Sequence, residues 1–264
     1  MTRWSHPVGR RVLLTRVGRG AVGIAVLGLA ACGGDDSTGA GGGQTGAGQT
    51  SSGSTSGEQT NGPSATPSPG ALAWSRVDLG FVAAYVLVRG DEAAVVDTGV
   101  GGSADAIGAV LDAAGPGWAG VRHVVLTHKH PDHAGSVGDV LGTATGATGY
   151  VGAADLSAVD APRPLTALAD GDDVFGLQVV ATPGHTAGHL AVFDPGTGVL
   201  VAGDALGNSD GLTGSNPQFT EDATAADASV RALARLQPRT ILVGHGAPVV
   251  EGAAAALDRL AASL

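Results

Sequence analysis

Cysteine is nearly absent from this 264-residue chain, with Cys32 the only one. A single thiol excludes an internal disulfide and any Cys-rich metal site. Aromatic residues amount to 3% of the chain, while hydrophobic residues reach 43%. The core must therefore be built from Val, Leu and Ala, and the few Trp and Tyr are expected to pack rather than to form a cage around a ligand. Basic residues are scarce where a fold can form. Five of the 14 Lys and Arg precede Cys32, and all 24 Asp and Glu follow it. A surface with that balance lacks the basic stripe that phosphate backbones require, which excludes nucleic acid as a partner. The apolar run Ala21 to Ala31 is too short and too rich in Gly for a transmembrane helix.

The N-terminal third reads as an address and a tether. Residues 1–32 place a basic stretch before that apolar run and end in small residues, the layout of a secretory signal. The ending "LAAC", Leu29 to Cys32, resembles the lipobox of bacterial lipoproteins. The resemblance implies that Cys32 carries lipid, becomes the mature N-terminus and holds the protein on the extracytoplasmic face of the cell membrane. Arg10-Arg11 followed by Val12, Leu13 and Leu14 resembles a twin-arginine export signal, with Gly9 where Ser or Thr is usual. General secretion and twin-arginine export both remain open. Residues 33–71 are Gly, Ser, Thr, Gln, Asn and Pro with almost no large apolar side chain. Such a stretch cannot offset its ordering entropy and is expected to be a disordered linker. The folded domain is expected over residues 72–264.

Within that domain, apolar runs bounded by turn residues predict strands at "WSRVDL", "FVAAYVLV", "EAAVVDTG", "VRHVVLTH", "TGYVG", "LQVVATPGH" and "RTILVGHG". "LAVFDPGTGVLVAGD" predicts a hairpin turning at Pro195-Gly196. Helical spacing predicts helices over Ser103–Ala114 with Ser103 as cap, from Asp132 to Leu141, and over Glu251–Leu264. A further helix is expected over Thr220–Leu236, with Glu221 and Asp222 in its first turn. One regularity matters more than any boundary. Asp97, His128, His185, Asp204 and His245 each follow an apolar strand, where a site built on a rigid sheet would put its side chains.

The densest feature is "THKHPDHAG", Thr127 to Gly135, which gathers three of the chain's eight histidines. His128 and His130 can point to one side of a turning segment, and Asp132 and His133 follow where a helix would begin. Imidazole nitrogen and carboxylate oxygen suit zinc, iron or manganese. His185 in "TPGH", Asp204 in "AGD" and His245 in "GHG" extend the set beyond what one tetrahedral ion needs.

"THKHPDH", "TPGHTAGH", "AGD" and "GHG", in this order, with "VVDTG" before them, resemble the motif set of the metallo-β-lactamase superfamily. The resemblance covers essentially all of Leu72 to Leu264. It implies an α/β fold, a four-layer αββα sandwich with two metal ions at one edge between the sheets, two zinc ions or alternatively iron or manganese. By matching positions, His128, His130 and His185 would bind the first ion. Asp132, His133 and His245 would bind the second, Asp204 would bridge them, and Asp97 would orient a ligand by hydrogen bonding. The chemistry implied is attack of a shared hydroxide on a carbonyl of a small-molecule substrate, with Asp132 carrying a proton to the leaving group. Asp97 has a rival reading as a turn residue before Gly99. His189 is expected to make a structural hydrogen bond, His123 to lie in a strand, and Lys129 to be solvated.

Departures narrow the choice of activity. True β-lactamases of this fold usually carry Cys or Ser where Asp204 stands. Glyoxalase II proteins carry a long C-terminal helical region, and about nineteen residues follow His245 here. The expectation is a compact hydrolase of an ester, lactone, thioester or amide-like carbonyl. The loop Leu206 to Phe219 is expected to flank its pocket, with Leu206, Leu212 and Phe219 either packing or touching an apolar substrate part. Persulfide dioxygenases share these motifs with a single iron on positions matching His128, His185 and Asp204. That alternative remains open, as do a β-lactamase and a non-catalytic metal- or ligand-binding surface lipoprotein.

Overall fold

The computed structural model describes residues 70–264. The expected signal segment, Cys32 and all but the end of the expected linker lie outside the described residues. Two sheets form a sandwich. The first has six strands in the order β1 (Ala73–Asp78), β2 (Ala83–Arg89), β3 (Glu92–Val96), β4 (Val121–Val125), β5 (Thr148–Gly152) and β6 (Thr166–Leu168). Its first three strands are antiparallel and the rest run parallel. The second sheet contains β7 (Asp173–Val174), β8 (Leu177–Ala181), β9 (Leu190–Asp194), β10 (Val199–Asn208) and β11 (Thr213–Gly214), with β12 (Thr240–Gly246) parallel to β10.

The strand sequences place side chains on alternate faces and so build three apolar layers. In β2, Ala83, Tyr85 and Leu87 face the layer between the sheets, and Ala84 and Val86 face outward. In β9, Leu190 and Val192 point inward, and Ala191 and Phe193 point outward. The outer face of the first sheet is covered by α1 (Ala104–Ala114) through Ile107 and Leu111, and by α3 (Val137–Thr143) through Val140 and Leu141. The outer face of the second is covered by α4 (Ala223–Ala234) through Val230 and Leu233, and by α5 (Ala253–Ser263) through Leu257. This is the four-layer α/β sandwich. The core is largely aliphatic, with Tyr85 and Phe193 its buried aromatics and the Tyr85 hydroxyl donated to the Val243 carbonyl at 2.8 Å.

Three local expectations need correction. Ser103 holds the N-cap position of α1 but makes no side-chain cap bond. Its hydroxyl donates instead to the Val100 carbonyl at 2.7 Å. The helix expected from Asp132 to Leu141 is two, a short α2 (Pro131–Ala134) and α3, interrupted at Gly135 and Ser136. Gly135 lies hard against the backbone of Gly99 and Gly101, where a Cβ would collide, and its N–H donates to the Gly99 carbonyl at 2.9 Å. A continuous helix cannot make that approach. Helix α4 starts at Ala223, with Asp222 as the cap accepting from the Ala225 N–H at 3.0 Å. Glu221 therefore lies outside the helix. The strands β6, β7 and β11 are too short, at two or three residues, to leave a periodic signal.

Candidate metal centre

All the predicted side chains meet at one edge of the sandwich. Asp97 follows β3, His128 lies three residues past β4, His130 to His133 run into α2, and His185 sits in the turn after β8. His245 is within β12. Asp204 owes its place to an irregularity in β10. Gly203 pairs with Val243 and Gly207 with His245, so the stretch between them bulges from the sheet. Gly203 takes a left-handed φ of 51° at that point, packed against Thr127 and His189. Gly244, opposite, is required because a Cβ there would meet the Asp204 carboxylate and the His133 ring.

The donor atoms form sets that could each hold a cation: His128, His130 and His185; His128, His133 and Asp204; and Asp132, His133 and His245. In the first, His130 Nδ1 lies 3.0 Å from His128 Nε2 and 2.9 Å from His185 Nε2. One hydrogen on Nδ1 can be directed to only one of these acceptors, leaving the other Nε2 lone pair without a hydrogen. Nitrogens bonded to zinc at about 2.0 Å in a tetrahedron sit about 3.3 Å apart. In the other half, His133 Nε2 is 3.4 Å from His245 Nε2, and Asp132 Oδ2 is 3.3 Å from His245 Nε2. Asp204 reaches both halves, with Oδ1 3.2 Å from His133 Nε2, and Oδ2 3.4 Å from His185 Nε2 and 3.2 Å from His245 Nε2. Asp204 Oδ1 is buried without a hydrogen-bond partner. An orphaned carboxylate oxygen among ring nitrogens whose outer partners hold the other nitrogen is what a metal-binding residue set looks like, and the residues fit a bound metal.

Those outer partners fix the rings. Thr127 Oγ1 gives its single hydrogen to Asp97, so at 3.1 Å it accepts from His128 Nδ1. Thr220 Oγ1 donates to the Asn216 carbonyl at 2.6 Å, hence accepts from Ser215, whose oxygen is left to accept from His185 Nδ1 at 2.9 Å. His133 Nδ1 donates to Asp97 Oδ2 at 2.9 Å and His245 Nδ1 to the Phe81 carbonyl at 2.7 Å. In all four rings Nε2 is turned inward, available to a proton or a cation. Asp97 holds a left-handed φ of 63°, tolerated better by Asp than by most residues, and serves both halves from that turn. Its reading as a turn residue and as an orienting residue are one and the same.

Charge divides the site. Burial holds His128 well below the usual histidine range and takes His185 down to about 4. The Asp132 and Asp204 carboxylates push His245 up to about 10. For His133 burial works downward, yet Asp97 and Asp204 hold it well above the usual range. His189 does make structural bonds: buried, and held by burial down to about 3, it takes the Asp204 N–H on Nε2 at 3.0 Å and pairs with Thr182 through Nδ1 at 2.7 Å. His123 packs in its strand against Tyr150 and Phe175.

Lys129 is partly solvated, its side chain 26% accessible, and it is also paired. Its Nζ pairs with Glu221 at 2.8 Å and lies 3.8 Å from Asp155. Asp155, overlooked in the sequence, is fully buried. It accepts from the Lys129 N–H at 3.1 Å, the Thr186 hydroxyl at 2.6 Å and the Gly188 N–H at 3.0 Å. One carboxylate thus ties the loop of His128 and His130 to the loop of His185. A cavity of about 450 Å³ opens over the centre, lined also by Phe81, Pro131, Asn216 and Phe219. Phe81, Asn216 and Ser215 were likewise overlooked. Of the loop residues, Phe219 faces this cavity, while Leu206 is buried and Leu212 packs on the outer layer of the second sheet.

The family model of the metallo-beta-lactamase superfamily matches residues 77–245, and the chain belongs to that superfamily. Among its relatives, a probable metallo-hydrolase of Bacillus subtilis (strain 168), YflN, is 31% identical over 49% of this chain and 66% of its own length. A hydroxyacylglutathione hydrolase of Acidiphilium cryptum (strain JF-5) is 35% identical over 61% of this chain and 63% of its own. The chain thus spans about two thirds or less of the length of these two. The solved structure of TTHA1623, in a di-iron-bound form, superposes with a TM-score of 0.58 at 26% identity, covering 69% of this chain and 95% of that one.

Proposed function

We propose that the domain is a binuclear metal-dependent hydrolase acting on an ester, lactone, thioester or amide-like carbonyl. The observation that carries this reading is the pairing of two inward-facing donor sets through a single carboxylate with a buried, unpartnered oxygen, Asp204 Oδ1. His128, His130 and His185 would hold one ion, Asp132, His133 and His245 the other, with Asp204 between. Zinc or iron fits these nitrogen and oxygen donors, and a structural neighbour in a di-iron-bound form supports iron as much as zinc. Two such ions supply a water activated near neutral pH and positive charge for the acyl oxygen. The protein's own part is to hold each Nε2 in place through its outer partner, and to shield the cavity with Phe81, Pro131 and Phe219. Asp132, its side chain 28% exposed, borders the cavity and is placed to pass a proton from a carboxyl oxygen to the leaving group.

The first test is metal content of the full chain purified without added metal, followed by assays on esters, lactones, thioesters and β-lactams. About two ions per chain with metal-dependent hydrolysis supports the reading. One iron per chain with oxygen consumption on a persulfide would replace it with the dioxygenase alternative. The "LAAC" ending at Cys32 supports a lipid anchor that keeps the enzyme on the extracytoplasmic membrane face. Cys32→Ser should release it into the soluble fraction with hydrolysis intact, and unchanged membrane retention would refute the anchor.

A further inference from the structure

In a chain with four phenylalanines, two are left in solvent, and both stand at the same place. Phe81 is 64% and Phe219 58% exposed, the two most exposed large hydrophobic side chains among the described residues. Phe81 comes from the turn between β1 and β2, and Phe219 from the segment before α4, yet both line the cavity over the histidines, together with Pro131. The Phe81 ring is stacked on His245, centroids 6.0 Å apart and planes inclined by 15°, so one face is set against the site while the rest stays exposed. Exposed apolar surface gathered at a cavity that also presents a few polar groups is where the apolar part of a ligand is buried.

Charge points the same way. Among the described residues, no Lys or Arg lines this cavity or the neighbouring one of about 590 Å³, which shares Asp204, Asn216 and His245 with it and adds Asp210 and Asp227. Lys129, the one base inside the histidine motif, is committed to Glu221 and Asp155. Arg76, near Gly246, is held by Asp78 at 2.8 Å. Outside the candidate metal ligands, a negatively charged substrate arm would meet Asp210 and Asp227 on the second cavity wall and, among the described residues, no Lys or Arg on either.

We infer that the site takes an uncharged acyl compound whose apolar chain lies against Phe81, Phe219 and Pro131: a medium-chain ester, lactone or thioester, in preference to an acyl conjugate of an anionic thiol such as glutathione. This rests on the hydrolase reading above. Water adds across the acyl bond, its oxygen joining the acyl carbon as the C–O or C–S bond breaks, and the proton ends on the leaving oxygen or sulfur.

The test uses the metal-loaded full chain with p-nitrophenyl esters from acetate to octanoate, and with octanoyl thioesters of uncharged N-acetylcysteamine and of glutathione. kcat/KM should rise about two- to fourfold per methylene, and Phe81→Ala or Phe219→Ala should cut the octanoate-to-acetate ratio by about tenfold. The uncharged thioester should be preferred. The metal-free chain should bind hexanamide better than acetamide by saturation-transfer NMR, with the advantage lost in Phe219→Ala. Hydrolysis without chain-length dependence, or preference for the glutathione thioester, overturns the inference and leaves the hydrolase reading intact. Failure to hydrolyse any substrate, with Phe219-dependent hexanamide binding retained, sinks the hydrolase reading and supports the apolar subsite. Loss of both overturns the inference as well.

Discussion

The two halves of the metal centre use the same side chain under different control. His128 and His185 are buried, and their outer nitrogens rest on hydroxyls, Thr127 and Ser215. His133 and His245 rest on stronger acceptors, the Asp97 carboxylate and the Phe81 carbonyl, and face Asp132 and Asp204 across the site. Burial makes His128 and His185 of the first half weak bases, whereas in the second half carboxylates make His133 and His245 strong ones. Exposure does not decide this basicity, since the His133 side chain is fully buried while that of His245 is 33% accessible. The contrast teaches that the basicity of each ring is set by its burial and by the carboxylates around it, while the partner behind the ring fixes its orientation.

The change that should erase the contrast altogether is Asp204→Ala, because Asp204 alone touches both halves. Turnover is expected to fall by about a thousandfold, several kcal/mol of transition-state charge stabilisation, and metal content per chain to drop. Metal analysis and kcat/KM on the same preparation check this. Two ions retained with full turnover would show that Asp204 is no bridge.

Asp97→Asn should act through the second half first. Its amide would present an N–H to His133 Nδ1, where a carboxylate oxygen now accepts at 2.9 Å, and turn the ring's hydrogen onto the inward Nε2. A loss of about a hundredfold in affinity for one ion is expected, the other ion being less affected. Stepwise titration with a chelator separates the two. Equal weakening of both ions would mean that the Thr127 bonds matter as much as the His133 bond, and the contrast would lose its sharpness.

How much of this could be read before the fold was known depends on how local each signal is. The strands were legible because continuous apolar runs such as "AAYVLV", bounded by turn residues, mark buried strands directly. The candidate metal-binding side chains were legible because four of them are packed into Thr127–Gly135 and the others close short motifs at strand ends. Asp155 was not, because its three bonds reach Lys129, Thr186 and Gly188, up to 33 positions away, and nothing beside it hints at them. Phe81 contributes a backbone carbonyl and an exposed ring 164 positions from His245, which no pattern of residue types encodes. The break between α2 and α3 was hidden for the same reason, since Gly135 is needed there only because Gly99 and Gly101 come close from another loop.

Ser215→Ala sharpens the comparison from the other side. It removes the hydroxyl behind His185 and leaves every contact of His133 and His245 in place. The expected loss is about tenfold in affinity for the ion of the first half alone, smaller than for Asp97→Asn because a neutral hydroxyl holds a ring less firmly than a carboxylate. Cobalt substitution, with each half followed by its own absorption change, distinguishes that from a general loosening of the Leu206–Phe219 loop, which would disturb both.

The smallest effect should come from the one conspicuous charge beside the first half. Lys129 pairs with Glu221 at 2.8 Å, but their side chains are 26% and 45% exposed, and ion pairs that open to water contribute about 0–1 kcal/mol. The loop carrying His128 and His130 is already held by the Lys129 backbone N–H on Asp155, a bond that survives removal of the side chain. Lys129→Ala should therefore change stability by less than about 1 kcal/mol and leave metal content unaltered. Asp155→Ala should differ sharply from it. That variant strips the partner from two buried N–H groups and a hydroxyl at once, each costing about 1–3 kcal/mol when left unmet. Thermal unfolding and metal analysis of the two variants side by side decide the point. If Lys129→Ala loses the first-half ion as readily as Asp155→Ala does, the loop is held from its surface, and the first half of the centre owes its geometry to a salt-sensitive pair and not to a buried carboxylate.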